Sequence, residues 1–380
     1  MSLPTLASCH RCLHVAAVRN SSSLSKLPWR KEAEQIVGYP TSFLNLRYLL
    51  SDEISNVVGH LRKMVGTRHP LLKTARKLLD DETGFQSRGI TILLMSKALA
   101  SSSQSQTSNT NVQTNPSGIL PHQRHLSEII ELIYTAELIH DNIVDVELAA
   151  HGEYPQESQQ LTAEQRAELA SGNKLTVLLG DYLLANASSG LGKLYNTEVA
   201  EKISQALSDM KVAACLRQSW HVAAPNDRYS LSEPLFTSQT NHITAAPGTC
   251  PIVDEPASLK NWIRWVRLAH GSLLSHGCHG TALLADAPVE MRRQAGVYGW
   301  HLAMADELHS ELQPTSMDSS SQIAPGLLRS LCQDESEFAE AQQRIPPVQK
   351  VHATAAIDSL EAFPPSDALQ ALKRMAEELT

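Results

Sequence analysis

Two aspartates stand four positions apart in the segment LIHDNIVDVELAAHG. If this segment is helical, Asp141 and Asp145 lie one turn apart on the same face, close to His140. Carboxylates at that spacing suit a hard divalent cation such as Mg²⁺, which proteins hold through one or two carboxylates. Asn142 stands where a second adjacent carboxylate would make the case for a cation much stronger. The pattern predicts a weak metal site at Asp141 and Asp145, and solvated acids that bind no metal are the alternative.

The elements that must position these residues are predicted to be helices. Apolar residues recur at helical spacing, and no run of alternating strands is evident. A long helix is predicted at 41–66, two short ones follow residue 350, and the others are predicted near 88–100, 123–147, 172–190, 197–220, 259–285 and 288–312. The fold class is therefore predicted to be all-α. A low-complexity loop at 101–118 and a long proline-containing connection at 222–258 interrupt the helices.

Charge and composition exclude several classes of protein. The first 31 residues contain five basic residues and several serines but no acid, a composition typical of a mitochondrial transit peptide. A disordered tail without targeting meaning is the alternative. The rest of the chain carries 27 basic against 40 acidic residues, which argues against nucleic acid as a partner. No apolar run approaches the roughly 20 residues needed to span a bilayer.

Five segments of the sequence resemble one known family. They are GYPTSF, SDEIS, LIHDNIVD, SGNKLTVLLGDYLLANAS and LEAFPPSDALQAL, and together they resemble the trans-prenyltransferases. GYPTSF with SDEIS is similar to the divergent second subunits of mitochondrial decaprenyl diphosphate synthases. The resemblance implies an isoprenoid (trans-prenyl) synthase fold over 32–380, with helices around a central cavity. It also implies elongation of an allylic diphosphate with isopentenyl diphosphate, assisted by Mg²⁺ on two aspartate-rich helices.

The second aspartate-rich motif of that family corresponds to YGWHLAMADELHSELQP. Aligning on its tyrosine-glycine pair puts Ser310, Glu311 and Pro314 at the three aspartate positions. Asp306 and Glu307 then fall on other helical positions and point elsewhere, although a shifted alignment would use them. Since one carboxylate remains, the resemblance implies that the second Mg²⁺ anchor is lost.

The basic residues that grip diphosphate in the family are also depleted. In TGFQSRGI the family's lysine is missing and Arg88 remains, and the lysine-threonine pair falls near Ala269 and His270. Arg88 and Lys174 are therefore the candidates for substrate binding. For Lys174, an ordinary surface ion pair is the alternative.

The resemblance thus implies an auxiliary, non-catalytic subunit of a heteromeric polyprenyl diphosphate synthase that makes the ubiquinone side chain in the mitochondrial matrix. Its partner would be the catalytic subunit 1, and the two subunits would form a heterotetramer. The complex would use Mg²⁺. If the degenerate motif binds no metal, the partner subunit alone would bind it. The segment SGNKLTVLLGDYLLANASSGL is apolar nearly all round, so we expect it to pack in the core and reach this partner.

Two other classes of function remain open. One is a scaffold or regulatory protein that uses the same fold without prenyl transfer. The other is a metal-dependent phosphohydrolase, because the neighbours His140 and Asp141 mimic a His-Asp metal motif. That site would need further histidines nearby, for which His122, His125 and His270 are available.

Overall fold

The computed structural model describes residues 29–38, 44, 69–71, 74, 87–103, 118–146, 162–222, 256–312 and 327–380. The regular elements in these ranges are all helical, which confirms the all-α prediction. The α-helices are α1 Trp29–Val37, α2 Ser87–Ser103, α3 Pro121–His140, α4 Ala163–Lys193, α5 Thr197–Val222, α6 Ala257–Val266, α7 Ser272–Leu284, α8 Val289–Leu312, α9 Leu327–Leu331, α10 Glu335–Ser359 and α11 Asp367–Glu377. The first 28 residues, nearly all of the helix predicted at 41–66, and most of the predicted loop and connection lie outside the described residues.

Helix α3 lies at the centre, packed against α2, α4 and α7. Most of its side chains are buried, including Leu126, Ile129, Ile130, Ile133 and Ala136. Its first turn is tied to α7, because the Gln123 side chain accepts from the Leu120 N–H at 3.0 Å and donates to the Thr281 carbonyl at 3.0 Å. No helix in the described ranges is long and apolar enough to cross a membrane.

The end of α3 corrects the sequence prediction. A helix was expected to continue to residue 147, but α3 ends at His140 and Asp141 is its C-cap. The Asn142 amide nitrogen donates to the Leu138 carbonyl at 2.5 Å, and the backbone N–H and carbonyl of Val144 pair with the Asn173 side chain at 2.8 and 2.7 Å. Because these side-chain bonds replace the next helical bonds, the chain leaves α3 before Asp145.

Helix α4 begins nine residues before its predicted start. Thr162 is the N-cap: its hydroxyl accepts from the Gln165 N–H at 3.2 Å, and the Gln165 side chain accepts from the Thr162 N–H at 2.9 Å. This reciprocal capping box fixes the first turn. Further along, α4 packs closely on α3 at Gly180, where an added Cβ would lie 2.1 Å from the His140 ring.

The predicted helix at 259–285 is interrupted by a π-helical turn, Arg267–Gly271, between α6 and α7. A π-turn inserts an extra residue into the helical repeat, and such turns are often found at functional sites. Here it carries His270, whose ring packs edge-on against Trp265 with centroids 5.3 Å apart. Apolar periodicity did not reveal this break.

The C-terminal helices differ from the two short helices expected after residue 350. Helix α10 already begins at Glu335, with the Asp334 carboxylate accepting from the Glu337 N–H at 2.8 Å, and it contains Pro346 and Pro347. Because prolines usually end a helix, Pro346 and Pro347 gave no indication of this one, which packs extensively on α8. A second hydrophobic cluster forms where α5, α6, α8, α9 and α10 meet, with Trp220, Trp262, Leu308, Leu328 and Ile345 at its centre.

Candidate functional site

Arg88 lies near the start of α2 and is buried, with 5% of its surface exposed. Its guanidinium carbon lies 3.5 Å from the centroid of the Tyr134 ring, and its Nη2 lies 3.9 Å from Glu307 Oε1. Burial lowers the pKa of Arg88, but the charges of Tyr134, Glu307, Asp306 and Glu131 outweigh burial and raise the pKa overall. The predicted diphosphate-binding arginine is therefore already engaged with groups of its own chain.

Glu131 is a buried acid beside Arg88. Its Oε1 accepts a 2.6 Å hydrogen bond from the Gly89 backbone N–H. Burial raises the pKa of Glu131 to about 7, although the Gly89 bond and Arg88 both act to lower it. Glu131 thus holds the start of α2 through Gly89, and Glu307 supplies the carboxylate that contacts Arg88.

His270 contacts the same Glu307 from the π-helical turn. Its Nδ1 lies 3.1 Å from Glu307 Oε1, without the alignment of a hydrogen bond. Burial, followed by the charges of Arg88 and Arg217, lowers the pKa of His270 to about 3. The ring is therefore neutral at physiological pH and adds no positive charge for a diphosphate.

Asp141, the first aspartate of the predicted metal motif, is paired with an arginine. Arg217 Nη2 of α5 lies 2.5 Å from Asp141 Oδ1, and both side chains are partly exposed. The positive charge of Arg217 also lowers the pKa of His270, which in turn contacts Glu307. We call the six residues that α2, α3, α5, the π-turn and α8 bring together the charged cluster: Arg88, Tyr134, Asp141, Arg217, His270 and Glu307.

The predicted metal site is not assembled in the described part of the chain. Asp145 is exposed and lies beyond the end of α3, so it does not share a helical face with Asp141. Asn142 is 4% exposed and is held by Thr74 and Leu138. Among the described residues, no three His, Cys, Asp or Glu side chains converge as metal ligands. Asp141 and Asp145 therefore do not form the single two-carboxylate face that their spacing predicts.

The second motif also departs from a metal-binding arrangement. Ser310 and Glu311 are partly buried in the last turn of α8, and Pro314 lies outside the described residues. Glu307, which the alignment predicts to point away from the motif positions, faces Arg88 and His270. The carboxylate of α8 that joins the cluster is thus an ion-pairing group.

The second predicted basic residue does not join the charged cluster. Lys174 is exposed on α4, whereas Arg88 is buried. The informative residue of the GNK segment is Asn173, which binds the backbone of Val144 and lies 3.2 Å from the His69 ring. This segment positions the chain after α3.

The histidines proposed for a phosphohydrolase have separate partners. His125 Nδ1 lies 3.0 Å from Glu128, and His140 Nε2 lies 3.4 Å from Asp181. His270 faces Glu307, and His122 is exposed. The described residues therefore give no support to a His-Asp metal centre.

The residues that sequence reasoning missed are Arg217, Tyr134 and Glu131. Sequence spacing could have indicated Glu131 and Tyr134 on α3. Glu131, Tyr134 and Asp141 are spaced three and seven apart, which places them on one face of a helix. Arg217 had none, since it reaches Asp141 from 76 positions further along the chain.

The regular elements of the described residues are all helical, and a buried helix ends in the degenerate aspartate motif, as expected for the prenyl synthase class. Residues 69–305 match the polyprenyl synthetase family, and the chain belongs to this family. It is 35% identical to the human all-trans-polyprenyl-diphosphate synthase PDSS2, over 100% of this chain and 92% of that protein. It is also 28% identical to a probable mitochondrial hexaprenyl pyrophosphate synthase of Neurospora crassa, over 70% of this chain and 58% of that one.

Solved structures agree with the fold. A decaprenyl diphosphate synthase from Rhodobacter capsulatus superposes with a TM-score of 0.53 at 15% identity, covering 92% of this chain and 98% of that one. A polyprenyl synthase from Caulobacter crescentus, complexed with calcium and isoprenyl diphosphate, has a TM-score of 0.51 at 16% identity, covering 94% and 97%. These likenesses confirm the predicted isoprenoid synthase fold.

Proposed function

We propose that this chain is the auxiliary, non-catalytic subunit of a heteromeric polyprenyl diphosphate synthase. One observation carries the proposal: the first aspartate of the expected metal motif is engaged within the chain, and an asparagine follows it. Asp141 pairs with Arg217, and Asn142 is held in internal hydrogen bonds. At the aligned second motif, Glu311 is the single remaining carboxylate.

The chemistry explains why such a chain needs a partner. Departure of diphosphate from an allylic carbon leaves negative charge that cations must stabilise, and preorganised electrostatics usually supplies the largest share of the rate enhancement. Because the charged cluster balances its own charges, it has no spare cation for this task. A catalytic subunit with both aspartate-rich motifs would hold Mg²⁺ and both diphosphates. A relative of this chain in Schizosaccharomyces pombe, 24% identical over 78% of this chain and 71% of that one, is named decaprenyl-diphosphate synthase subunit 1.

The outer side of α4 is the surface we assign to the partner. One side of α4 is buried against α3, with Leu179, Leu183 and Ala187 facing inward. The other side exposes Leu178 at 65% and Tyr182 at 38%, which are four positions apart and therefore neighbours on one helix face. An obligate heteromer would cover this face.

The product and its location follow from the same proposal. Residues 1–31 act as a transit peptide, and the complex makes the ubiquinone side chain in the matrix. The mitochondrial name of the Neurospora relative and the basic, acid-free N-terminus support this assignment.

The test is reconstitution. The chain, a catalytic subunit 1 and their mixture are each assayed for Mg²⁺-dependent elongation of farnesyl diphosphate with isopentenyl diphosphate. We expect near-zero activity for the chain alone and long-chain product from the mixture. Asp141→Ala with Asp145→Ala should reduce the activity of the mixture only a few-fold. Substantial elongation by the chain alone would overturn the proposal, and unchanged activity of subunit 1 without this chain would favour a scaffold.

A further inference from the structure

We propose that Arg217 takes the place of a divalent cation at Asp141, so that the chain carries its own fixed counter-charge and excludes metal from the degenerate motif. Arg217 Nη2 donates a hydrogen bond to Asp141 Oδ1 at 2.5 Å, and the opposite charges of the two groups strengthen it. The inference rests on the proposed function, since it explains how an auxiliary subunit keeps a metal-motif carboxylate without using it.

The neighbouring acid on α3 is neutralised in the same way. Glu137, four residues before Asp141, contacts the ammonium group of Lys211, which lies on α5 as Arg217 does. Helix α5 thus supplies one basic side chain to each of two acids at the end of α3. These two contacts join α5 to α3, because each basic side chain reaches an acid of the other helix.

The chemistry of arginine suits this exclusion. A guanidinium stays protonated at any physiological pH, so Arg217 keeps its positive charge beside Asp141. A metal ion that approached Asp141 would have to displace Arg217 or lie beside its positive charge. The adjacent position offers it no carboxylate, because residue 142 is a buried asparagine whose amide donates to the Leu138 carbonyl.

The remaining charged groups of the cluster follow the same pattern. Glu307 lies 3.1 Å from His270 and 3.9 Å from Arg88, while Arg88 also stacks on Tyr134. Arg88 thus lies beside a carboxylate of α8, as Arg217 lies beside Asp141 at the end of α3. Removing one cation should expose one carboxylate, which makes the replacement measurable.

Metal uptake by the purified full-length chain tests the inference. Mn²⁺, as a spectroscopic substitute for Mg²⁺, is titrated by electron paramagnetic resonance with inorganic diphosphate present. We expect the wild type and Asp141→Asn to bind Mn²⁺ equally poorly. Arg217→Gln should gain one Mn²⁺ per chain, at least about 10-fold tighter, and the double variant with Asp141→Asn should lose it again.

Two control variants separate charge from structure. Arg217→Lys keeps the positive charge and should gain no Mn²⁺, whereas Arg344→Gln breaks an exposed pair with Glu340 elsewhere and should also gain none. If the wild type binds Mn²⁺ and Asp141→Asn abolishes that binding, the inference is overturned. This comparison does not require Arg217→Gln to fold. A folded Arg217→Gln with unchanged Mn²⁺ binding would overturn it too. The readout is metal uptake, so this failure is distinct from a failure of the reconstitution assay.

Discussion

The Thr74 hydroxyl donates a 2.8 Å hydrogen bond to the Asn142 side-chain oxygen, while the Asn142 nitrogen donates to the Leu138 carbonyl at 2.5 Å. The amide thus uses both its acceptor and its donor in a buried position. An aspartate at residue 142 could accept from Thr74, but its ionised oxygens would face the Leu138 carbonyl without a proton to donate. Asparagine at this motif position therefore has a structural role.

Asn142→Asp should destabilise the chain without restoring catalysis. A buried charge facing a carbonyl costs on the order of 1–3 kcal/mol or more, and urea unfolding at pH 8 measures this loss. Asn186→Asp is the matched control, because Asn186 makes a similar bond to the Tyr182 carbonyl at 2.9 Å on the surface. It should change the free energy of unfolding by less than about 0.5 kcal/mol. Equal effects of the two substitutions would contradict the structural role of Asn142.

A buried histidine pair predicts loss of stability in acid. His301 and His352 join α8 to α10 with their Nδ1 atoms 2.9 Å apart, and one of the two nitrogens must carry the proton. Burial, followed by the charge of His352, lowers the pKa of His301 to about 3, and burial lowers that of His352 to about 4. Both pKa values are below the ordinary 6.5, so the unfolded chain binds more protons between these values.

The stability from this pair is therefore complete above about pH 6.5 and is lost as the pH falls towards 4. In urea titrations, His352→Gln should make the free energy of unfolding depend less on pH, by up to about 1.4 kcal/mol per pH unit. The comparison is made within each protein across pH, so any loss of packing in the variant cancels. An unchanged slope between pH 6.5 and 4 would show that His352 is not buried in its neutral form.

The fold was predictable because helical periodicity is local, and the ranges 88–100, 197–220 and 288–312 closely match α2, α5 and α8. Helix ends were less predictable, because partners distant in sequence determine them. The Asn173 side chain takes the backbone bonds of Val144, and no spacing within the first motif signals this.

The site was predictable only in part, for a related reason. Asp141 and Arg88 were found from their motifs, and both belong to the charged cluster. Which charge neutralises Asp141 was not predictable, because Arg217 comes from a different helix and no motif marks it. Glu307 was set aside because the alignment assigned the motif positions three residues later, although its contacts are with Arg88 and His270.

Import into mitochondria depends on the basic N-terminus in our proposal. A fusion of residues 1–31 to a fluorescent protein should enter the matrix and be cleaved. Replacing Arg11 and Arg19 with glutamate should abolish import, because acidic residues are avoided in transit peptides. Cytosolic full-length protein beginning at Met1 in the unaltered chain would contradict the prediction.

Leu178→Arg should dissociate the proposed complex while the chain stays folded. Leu178 is 65% exposed on α4, so the arginine fits without disturbing the core, but it would place an unpaired charge in an apolar interface. Size-exclusion chromatography of the co-expressed subunits measures assembly, and circular dichroism measures folding. Val289→Arg is the control, because Val289 is 78% exposed at the start of α8, a different helix from α4. Ala187→Arg, at a site 2% exposed in the α3–α4 contact, should instead unfold the chain. Normal pairing of Leu178→Arg with the catalytic subunit would move the interface away from the outer side of α4.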